Sequence, residues 1–261
     1  MADPSADDAG GAQLRLLDAA GDLDSGDLPE LYSYPTDHAG VWLRANFIAS
    51  VDGGATFGGK SGQLGGAGDR AVFSLLRELA DVVLVGAGTV RAEGYAGARP
   101  TVGQRGRRQA RGQSEVPQLA IVTRSGRLER DMPVFTRTEV APLVCTCAAA
   151  ADQTRRTLSG LADVIDCSLG DPGEVDSAAV LTALGERGLN RVLTEGGPML
   201  FGSFVERDLL DDLCLTIAPS LVGGQAGRIA TGAGQVLTAM RRAHVLTDED
   251  GYLYTRYVRQ T

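Results

Sequence analysis

The stretch from Asn190 to Glu206, NRVLTEGGPMLFGSFVE, constrains the fold more than any other part of the chain. A short apolar run at Val192 and Leu193 is broken at Glu195, and apolar residues resume at helical spacing after Pro198. The pattern predicts a strand, a glycine turn and a helix. Open α/β sheets bind ligands at the carboxyl ends of their strands, so a ligand site beside Glu195 is expected. An ordinary strand-to-helix connection is the alternative, because glycine and proline are common in such turns.

Two glycines, Gly196 and Gly197, stand directly before the predicted helix. Exposed N–H groups at a helix start favour anionic groups such as a pyrophosphate. Glycine allows the backbone to approach such a group closely, because it has no Cβ. The diglycine is therefore a candidate cofactor-binding turn.

The rest of the chain alternates predicted strands with predicted helices up to about residue 206, and strands finish it. A helix with one apolar face begins near Asp69, and Asp176 is expected to cap another helix. This order predicts an α/β fold with a mostly parallel sheet, antiparallel C-terminal strands and helices on both faces. The predicted strands are Val41 to Ala49, Asp81 to Val85, Gln118 to Thr123, Pro142 to Cys147, Ala162 to Cys167 and Asp212 to Ala218, followed by a hairpin over Ala243 to Val258.

The chain of 261 residues is long enough for one large domain, and its hydrophobic content of 43% is enough for a substantial core. Residues 36–261 contain no linker and no internal repeat, so we expect one domain there. Residues 1–35 are expected to form an acidic, mobile leader, with a helical turn at Leu14 to Leu17. Residues 1–30 contain eight acidic side chains and a single cationic one, Arg15, so most of the net charge of −8 belongs to the leader.

Charge and composition exclude several classes of function. A nearly neutral body offers no basic face for nucleic acid, and no apolar run reaches the roughly 18 residues that a membrane span needs. The leader lacks the features of a signal peptide, so we expect a cytoplasmic protein. The four cysteines show no CxxC spacing and the chain has only two histidines, so no metal site is expected.

A second glycine turn follows the strand that ends at Val85, in the sequence GAGTVRAEG. A Rossmann fingerprint would need a small residue at Arg91, so this turn predicts only a short helix able to hold a phosphate or a nicotinamide edge. Five arginines lie between residues 99 and 111, where we expect a solvated basic loop, with phosphate recognition as the less favoured alternative.

Four motifs together resemble one family. SVDGG at 50–54, VGAGTVRAEG at 85–94, TEGGPML at 194–200 and APSLVGG at 218–224 are similar to the reductase domain of the bifunctional riboflavin-biosynthesis deaminase-reductases. That domain has a fold like that of dihydrofolate reductase, and the resemblance spans residues 40–258. No counterpart of the zinc-binding deaminase pattern is found, so a stand-alone reductase is expected.

The resemblance implies a cofactor, NADPH, and a set of site residues. The cofactor residues that it implies are Gly86, Gly88, Thr89, Val90, Glu93, Ser125, Gly196, Gly197, Pro198, Met199 and Leu200. The residues implied at a pyrimidine substrate are Ser61, Arg77, Glu195 and Asn46. Glu195, Glu93 and Asn46 are the candidate catalytic residues. Glu93 stands where the family has an aspartate, Asn46 where the bacterial bifunctional enzymes carry a lysine, and only Arg99 lies near the place of an arginine that meets the substrate phosphate.

The implied chemistry is hydride transfer to an electrophilic carbon of an aminopyrimidine-linked ribose or of a pterin. Either ring carries an amidine whose two N–H groups match two carboxylate oxygens, so Glu195 is expected to bind that edge. A structural carboxylate that caps the next helix is the alternative for Glu195. A pyrimidine reductase of riboflavin biosynthesis, a pteridine or dihydrofolate reductase, and a nucleotide-binding protein without catalysis all stay open.

Two further expectations concern selectivity and assembly. Arg124, at the end of a predicted strand, can pair with a 2′-phosphate, which favours NADPH over NADH. The family pairs subunits through its late strands, and the apolar strands Leu213 to Ile217 and Tyr252 to Val258 need cover, so we expect a homodimer.

Overall fold

The computed structural model describes residues 15–16 and 26–260. Within these residues, ten strands form one sheet in the order β1-β9-β10-β8-β2-β7-β3-β4-β5-β6. The strands are β1 (Arg15–Leu16), β2 (Trp42–Ser50), β3 (Val82–Gly86), β4 (Gln118–Val122), β5 (Leu143–Thr146), β6 (Asp163–Asp166), β7 (Arg191–Thr194), β8 (Asp212–Ala218), β9 (Met240–Thr247) and β10 (Leu253–Arg259). The stretch from β8 to β6 is parallel, whereas β10, β9 and β1 join in antiparallel pairs. The predicted parallel sheet with antiparallel C-terminal strands is confirmed.

Helices cover both faces of the sheet. They are α1 (Leu28–Leu31), α2 (Ala67–Leu79), α3 (Ala87–Glu93), α4 (Val102–Ala110), α5 (Pro133–Thr136), α6 (Ala148–Thr157), α7 (Ser177–Gly185) and α8 (Pro198–Glu206). Helices α2 and α3 pack on one face, where the core includes Val83 and Val85, and α7 and α8 pack on the other, where it includes Val82 and Leu84. Strand β3 is buried along its whole length because it lies between these two layers.

The central strand β2 lies between β7 and β8, and all three are parallel. Their carboxyl ends therefore meet at one edge of the sheet, which is also the edge from which α3 and α8 begin. Parallel sheets bind ligands at this edge. Among the described residues, no helix has both the length and the apolar character that a bilayer crossing requires.

The prediction of a basic loop at residues 99–111 is wrong, because most of it forms helix α4. The Thr101 side chain accepts from the Gln104 backbone N–H, and the Gln104 side chain accepts from the Thr101 N–H, which is a capping box. Arg108 is fully buried and donates to the backbone carbonyls of Glu78 and Ala80 at 2.7 and 2.6 Å. The arginines of this segment therefore help to fix α4 against the end of α2.

The leader predicted at residues 1–35 ends too late, because residues 26–35 are part of the fold. Helix α1 lies here, and Tyr32 and Tyr34 are buried in the core. The helical turn predicted at Leu14 to Leu17 is also wrong at Arg15 and Leu16, which form strand β1 beside β9. The other residues of that leader lie outside the described part of the chain.

A buried ion cluster fixes the segment at residues 31–33 to the sheet. Asp212 of β8 accepts from Arg44 of β2 at 2.8 Å and from Arg256 of β10 at 2.8 Å. Arg44 also donates to the carbonyl oxygens of Tyr32 and Ser33, and Arg256 donates to the carbonyl oxygen of Leu31. Burial would raise the pKa of Asp212, but the two arginines outweigh it and hold that pKa below its usual value.

Candidate active site

Two glycine turns meet at the carboxyl ends of β3 and β7. The Gly86 N–H donates to the Gly196 carbonyl oxygen at 2.8 Å. Gly196 and Gly197 have φ angles of 131° and 79°, which side chains with a Cβ rarely adopt. A Cβ placed on Gly197 would lie 3.5 Å from the Gly86 Cα, so the two backbones are in direct contact. The glycine-rich turns predicted separately from sequence therefore form one surface.

This surface has the features of a dinucleotide cradle. Helix α8 starts without a side-chain cap on its first N–H groups, and Gly88 faces open space. The Thr89 Oγ1 atom lies 3.5 and 3.7 Å from Cβ positions built on Gly196 and Gly197, so its hydroxyl borders the cradle. Free N–H groups, absent Cβ atoms and a neighbouring hydroxyl fit a bound pyrophosphate.

The other predicted cofactor residues differ in their exposure. Pro198 and Met199 are exposed and Leu200 is half-buried at the start of α8. Val90 is only 1% exposed and packs in the core, so its side chain cannot touch a ligand at the cradle. The expectation of a cofactor contact at Val90 is thus limited to its backbone.

Arg124 and Ser125 follow β4 and are both exposed. Arg124 already has a partner, because its Nη1 donates to Glu174 at 2.8 Å. Both side chains of this pair are largely in solvent, where an ion pair stabilises a protein by about 1 kcal/mol or less. A phosphate could therefore displace Glu174 at little cost.

Glu195, directly after β7, is the centre of a buried polar cluster with Arg77 and Tyr95. Arg77 donates from Nε to Oε1 at 2.7 Å and from Nη2 to Oε2 at 2.6 Å, and the Tyr95 hydroxyl donates to Oε2 at 2.9 Å. The Arg77 guanidinium also lies 4.2 Å from the centroid of the Phe73 ring. Burial would lower the pKa of Arg77, but Glu195 raises it, so the guanidinium stays charged.

The cluster changes the role expected for Glu195. Both carboxylate oxygens, which were expected to receive a ring amidine, are occupied by the Arg77 guanidinium in this structure. The Glu195 side chain is 1% exposed, whereas that of Arg77 is 23% exposed. A ligand at this position therefore meets an arginine that is held and oriented by a carboxylate. Burial, and then the Glu195 charge, raise the pKa of Tyr95 well above its usual value, so Tyr95 is a donor at any working pH.

Ser61 and Glu93, predicted at the substrate and at the cofactor, contact each other. The Glu93 carboxylate accepts from the Ser61 N–H at 2.8 Å and from the Ser61 hydroxyl at 2.9 Å. Glu93 is the last residue of α3, so this contact joins the glycine-rich loop before α2 to the helix that begins at the cradle.

Asn46 lies on β2, between β7, which ends just before Glu195, and β8, which carries Cys214. It is 9% exposed, and its side chain forms no hydrogen bond with any described residue. Its amide atoms are not sealed in the core and reach solvent. Asn46 is therefore available to a ligand on the α2 side of the sheet.

Two of the four motifs also meet each other. Asp52, in the turn after β2, accepts from the N–H groups of Val222 and Gly223 at 3.1 and 2.7 Å. A hydrogen bond from the Ser50 hydroxyl, together with these contacts, lowers the pKa of Asp52 to about 2. Asp52 is thus a turn residue that fixes the loop after β8, as its position in the sequence indicates.

Comparison with known proteins agrees with this geometry. The sequence pattern of the family described as the RibD C-terminal domain matches residues 41–254. The chain belongs to the RibD C-terminal domain family. All four motifs from the sequence fall within the matched residues.

The relatives of this RibD C-terminal domain protein include a reductase from Archaeoglobus fulgidus. That protein, 2,5-diamino-6-ribosylamino-4(3H)-pyrimidinone 5′-phosphate reductase, is 26% identical over 157 residues, which are 60% of this chain and 70% of the relative. A pyrimidine reductase-like protein from Corynebacterium diphtheriae is 26% identical with a TM-score of 0.75, over 85% of this chain and 92% of its own. The riboflavin biosynthesis reductase Rib7 of Saccharomyces cerevisiae shares the fold, with a TM-score of 0.64 at 17% identity over 90% of this chain and all of its own. The Archaeoglobus fulgidus relative is a reductase, which agrees with a family of oxidoreductases.

A separate cavity lies at the opposite end of the sheet. It has a volume of about 480 Å³ and is lined by residues that include Val41, Leu181 and Asn190. Of its three charged residues, Asp208 and Arg259 form an ion pair with each other, and Asp211 accepts from the Leu43 N–H. This cavity lies far from the four sequence motifs, so we assign the candidate active site to the glycine turns instead.

Sequence reasoning missed Tyr95 as a member of the site. Its partner Glu195 is 100 residues away in sequence, and Tyr95 itself lies outside the motif that ends at Gly94. No local pattern predicts that contact. By contrast, Gly94 marks the end of α3 with a left-handed conformation at φ 68°, and this turn brings Tyr95 back toward the sheet.

Proposed function

We propose that the protein is an NADPH-dependent reductase that acts on a phosphoribosylamino-pyrimidine of the kind used in riboflavin biosynthesis. One observation carries this proposal. The diglycine of the cradle directly follows Glu195, the centre of the Arg77 cluster, so a cofactor turn and a polar substrate pocket share the end of β7. The name of the Archaeoglobus fulgidus relative supports the choice of substrate.

The cradle residues fit the pyrophosphate and nicotinamide parts of NADPH. Gly86, Gly88 and Thr89 would border the cofactor on the α3 side, and Gly196 and Gly197 on the α8 side. Arg124 and Ser125 would meet the 2′-phosphate after β4. When bound, NADPH supplies a hydride from its nicotinamide C4.

The polar cluster would orient the pyrimidine. Glu195 holds the Arg77 guanidinium in one position, and that guanidinium can donate to a ring carbonyl oxygen. The Asn46 amide offers both a donor and an acceptor to the ring edge. Holding the reacting carbon about 3–3.5 Å from a hydride donor can lower the barrier by several kcal/mol, so fixed geometry is the main contribution of these residues.

One observation favours a second candidate, a pteridine or dihydrofolate reductase. Asn46 is uncharged, and its position lacks the cation that would suit a substrate phosphate. A pterin ring needs donors and acceptors but no phosphate site.

Assays of NADPH oxidation with the two substrate classes test these proposals. We expect turnover with the phosphoribosylamino-pyrimidine and much slower turnover with dihydrofolate. The reverse order would establish the second candidate. Absence of oxidation with both substrates, from protein that binds NADPH, would reject both and leave a nucleotide-binding protein without catalysis.

We further propose that the protein is a homodimer that pairs through its late strands. Leu213, Leu215 and Ile217 of β8 alternate with buried residues and stay half-buried, and Leu221 in the following loop is 78% exposed. Apolar surface of this kind is typical of subunit contacts. Sedimentation at micromolar concentration should give a dimer, and a monomer would reject this proposal.

A further inference from the structure

The carboxyl end of helix α2, which carries Arg77, is capped by side chains from another part of the chain. An α-helix leaves the carbonyl oxygens of its last turn without helical partners. At this end they belong to Arg77, Glu78, Leu79 and Ala80. The N–H of Asp81, which would continue the helix by bonding the Arg77 carbonyl, donates to the Arg191 carbonyl oxygen instead. The four carbonyls therefore need partners from outside the helix.

Helix α4 and the turn after it supply these partners. The Arg108 Nη1 atom bonds three of the carbonyl oxygens, at 2.6 Å for Ala80, 2.7 Å for Glu78 and 3.3 Å for Arg77. The Gln113 Nε2 atom donates to the fourth, that of Leu79, at 3.0 Å. A cation at the carboxyl end of a helix also matches the helix dipole. Arg108 is thus the main element of the cap.

Arg108 makes these bonds from a position sealed from water. It is 0% exposed, and within residues 26–260 it bonds no carboxylate. Its Nε atom donates to the Ser114 carbonyl oxygen at 2.8 Å, so its bonds go to the backbone. Burial of a charge is costly, and an apolar side chain of similar volume is often as stable. What the guanidinium adds is a set of directed bonds that fix the end of α2.

Helix α4 also holds the side chain next to Arg77. Glu78 is 4% exposed and accepts from Arg107 at 2.8 and 2.7 Å and from Arg111 at 3.1 Å. The last turn of α2 is therefore fixed through its backbone and through a carboxylate. Because Glu78 is occupied in this way, Glu195 is the carboxylate that pairs with Arg77 among the described residues.

Arg77 is consequently fixed at both ends. Its guanidinium bonds Glu195 at 2.7 and 2.6 Å, and its backbone carbonyl contacts the cap at Arg108. Without the cap, the guanidinium would stand on a helix end whose carbonyls have lost their partners. A misplacement of about 1 Å, caused far from the reacting atoms, can lower a rate about 10²-fold.

We propose that Arg108 is a positioning residue of the active site, an inference that rests on the proposed function. It acts through Arg77: the cap fixes the last turn of α2, and that turn sets where the exposed side of the Arg77 guanidinium meets the substrate ring. The cradle residues lie on other elements, at the starts of α3 and α8. Cofactor affinity should therefore not depend on Arg108.

The main test is Arg108→Met in the full chain, with NADPH and the phosphoribosylamino-pyrimidine, well below the Tm of each variant. We expect kcat/KM to fall roughly 10- to 100-fold, with NADPH affinity by fluorescence titration unchanged. Arg108→Lys keeps the charge and part of the donors, so it should recover part of this loss. Arg187→Met is the matched control, because Arg187 donates to the Ala183 carbonyl near the end of α7 on the other face, at 2.9 Å. It should match the unmutated protein.

A double-mutant cycle separates positioning from stability. Arg77→Lys removes the guanidinium and lowers kcat/KM by itself. If Arg108 acts through Arg77, Arg108→Met should lower kcat/KM of the Arg77→Lys variant by no more than about twofold, whereas its effect on Tm should be similar with and without that change. The full loss of kcat/KM in the Arg77→Lys background would overturn the positioning role.

Two milder variants decide the question if Arg108→Met does not fold. Gln113→Met removes the donor to the Leu79 carbonyl and keeps Arg108, so it and Arg108→Lys should each lower kcat/KM less than Arg108→Met. Calorimetric affinity for the pyrimidine without NADPH should weaken in parallel, a readout that needs no turnover. Values of kcat/KM equal to that of an active unmutated protein in both variants would reject the positioning role alone. An unmutated protein that neither turns over nor binds the pyrimidine would reject the proposed function, and this inference with it.

Discussion

Two clusters on the same face of the sheet pair arginine with a buried carboxylate, yet they differ in what they leave open. The Arg44 and Asp212 side chains are both 0% exposed, and the donors of Arg44 and Arg256 go to Asp212 and to backbone carbonyls of residues 31–33. In the Glu195 cluster the carboxylate is 1% exposed, but Arg77 is 23% exposed. The guanidinium groups of the first cluster bond Asp212 and backbone carbonyl oxygens, whereas the second cluster presents part of a cation to the edge where strands end.

The comparison separates stability from function. A cluster whose donors are all used by the protein can only stabilise the fold. A cluster with an exposed arginine and a sealed carboxylate is suited to bind a ligand, because the carboxylate fixes the arginine before the ligand arrives. Variants of the two clusters should therefore differ in which measurement they change.

The largest effect is expected for Asp212→Asn. It leaves Arg44 and Arg256 buried without a compensating charge, which destabilises a protein by about 3–5 kcal/mol. Urea denaturation should show this loss in the free energy of unfolding. Asp208→Asn, which weakens the exposed pair with Arg259, is the control and should cost about 1 kcal/mol or less.

The same residue predicts a dependence on pH. Because the pKa of Asp212 is lowered in the folded protein, its contribution is present above the unfolded pKa and is lost as pH falls through the folded pKa. The difference between the unmutated protein and Asp212→Asn should thus shrink in strong acid. A difference below about 1 kcal/mol at neutral pH would mean that the buried ion cluster does not fix residues 31–33 to the sheet.

Glu195→Gln should mainly reduce activity. Loss of the charged partner of Arg77 should weaken transition-state stabilisation by about 2–3 kcal/mol, which lowers kcat/KM roughly 30- to 150-fold. NADPH affinity should be nearly unchanged. Its cost in unfolding free energy should be smaller than that of Asp212→Asn, since Arg77 retains contact with solvent. Equal losses of stability for the two variants, with cofactor binding lost as well, would make Glu195 a structural residue.

Arg124→Ala tests the third kind of pair, one that lies in solvent. A charge-assisted bond to the 2′-phosphate stabilises binding by about 1.5–3 kcal/mol, so the unmutated protein should prefer NADPH over NADH by roughly 10- to 150-fold. The variant should lose most of that preference. Glu174 competes with the 2′-phosphate for Arg124, so Glu174→Gln should increase the preference for NADPH. Equal affinities for NADPH and NADH in the unmutated protein would contradict the assignment.

Tyr95→Phe should have the smallest effect. It removes one hydrogen bond to Glu195, which should weaken transition-state stabilisation by about 1 kcal/mol and lower kcat/KM accordingly. NADPH affinity should not change. Because the pKa of Tyr95 is raised far above its usual value, the ratio of the two rates should be constant from pH 6 to 9, a range of about three units around neutrality. A ratio that varies with pH would show that Tyr95 itself titrates.

The sequence predicts well those features that depend on neighbours along the chain. The turn at Gly196 and Gly197, the apolar strand Val82–Gly86 and the helix that begins near Asp69 all follow from local patterns. Helix α4 was missed because its glycines and arginines have no apolar period, although Thr101 and Gln104 carry the capping signal. The acidic composition before residue 30 likewise hid the burial of Tyr32 and Tyr34, which contact residues of β2, β7 and β9 far along the chain.

Contacts between distant residues could not be read from the sequence in the same way. Arg77 and Glu195 were each expected at the substrate, but their contact with each other joins residues 118 apart. The pairing of Arg44 with Asp212 spans 168 residues and follows from strand order, which hydrophobic period does not determine.

The position of β2 has a consequence for synthesis of the chain. Its neighbours β7 and β8 begin at Arg191 and Asp212. Arg256, which donates to the carbonyl oxygen of Leu31, comes later still in the sequence. A ribosome has therefore made most of the protein before the central strand can find a partner on either side. Arg44 stays in water until Asp212 emerges, because a buried cation without its counter-ion is unfavourable. We expect the centre of the sheet to form only when synthesis of the chain is nearly finished. Until then β2 has no neighbouring strand, so this is when chaperones have the greatest opportunity to bind the nascent chain.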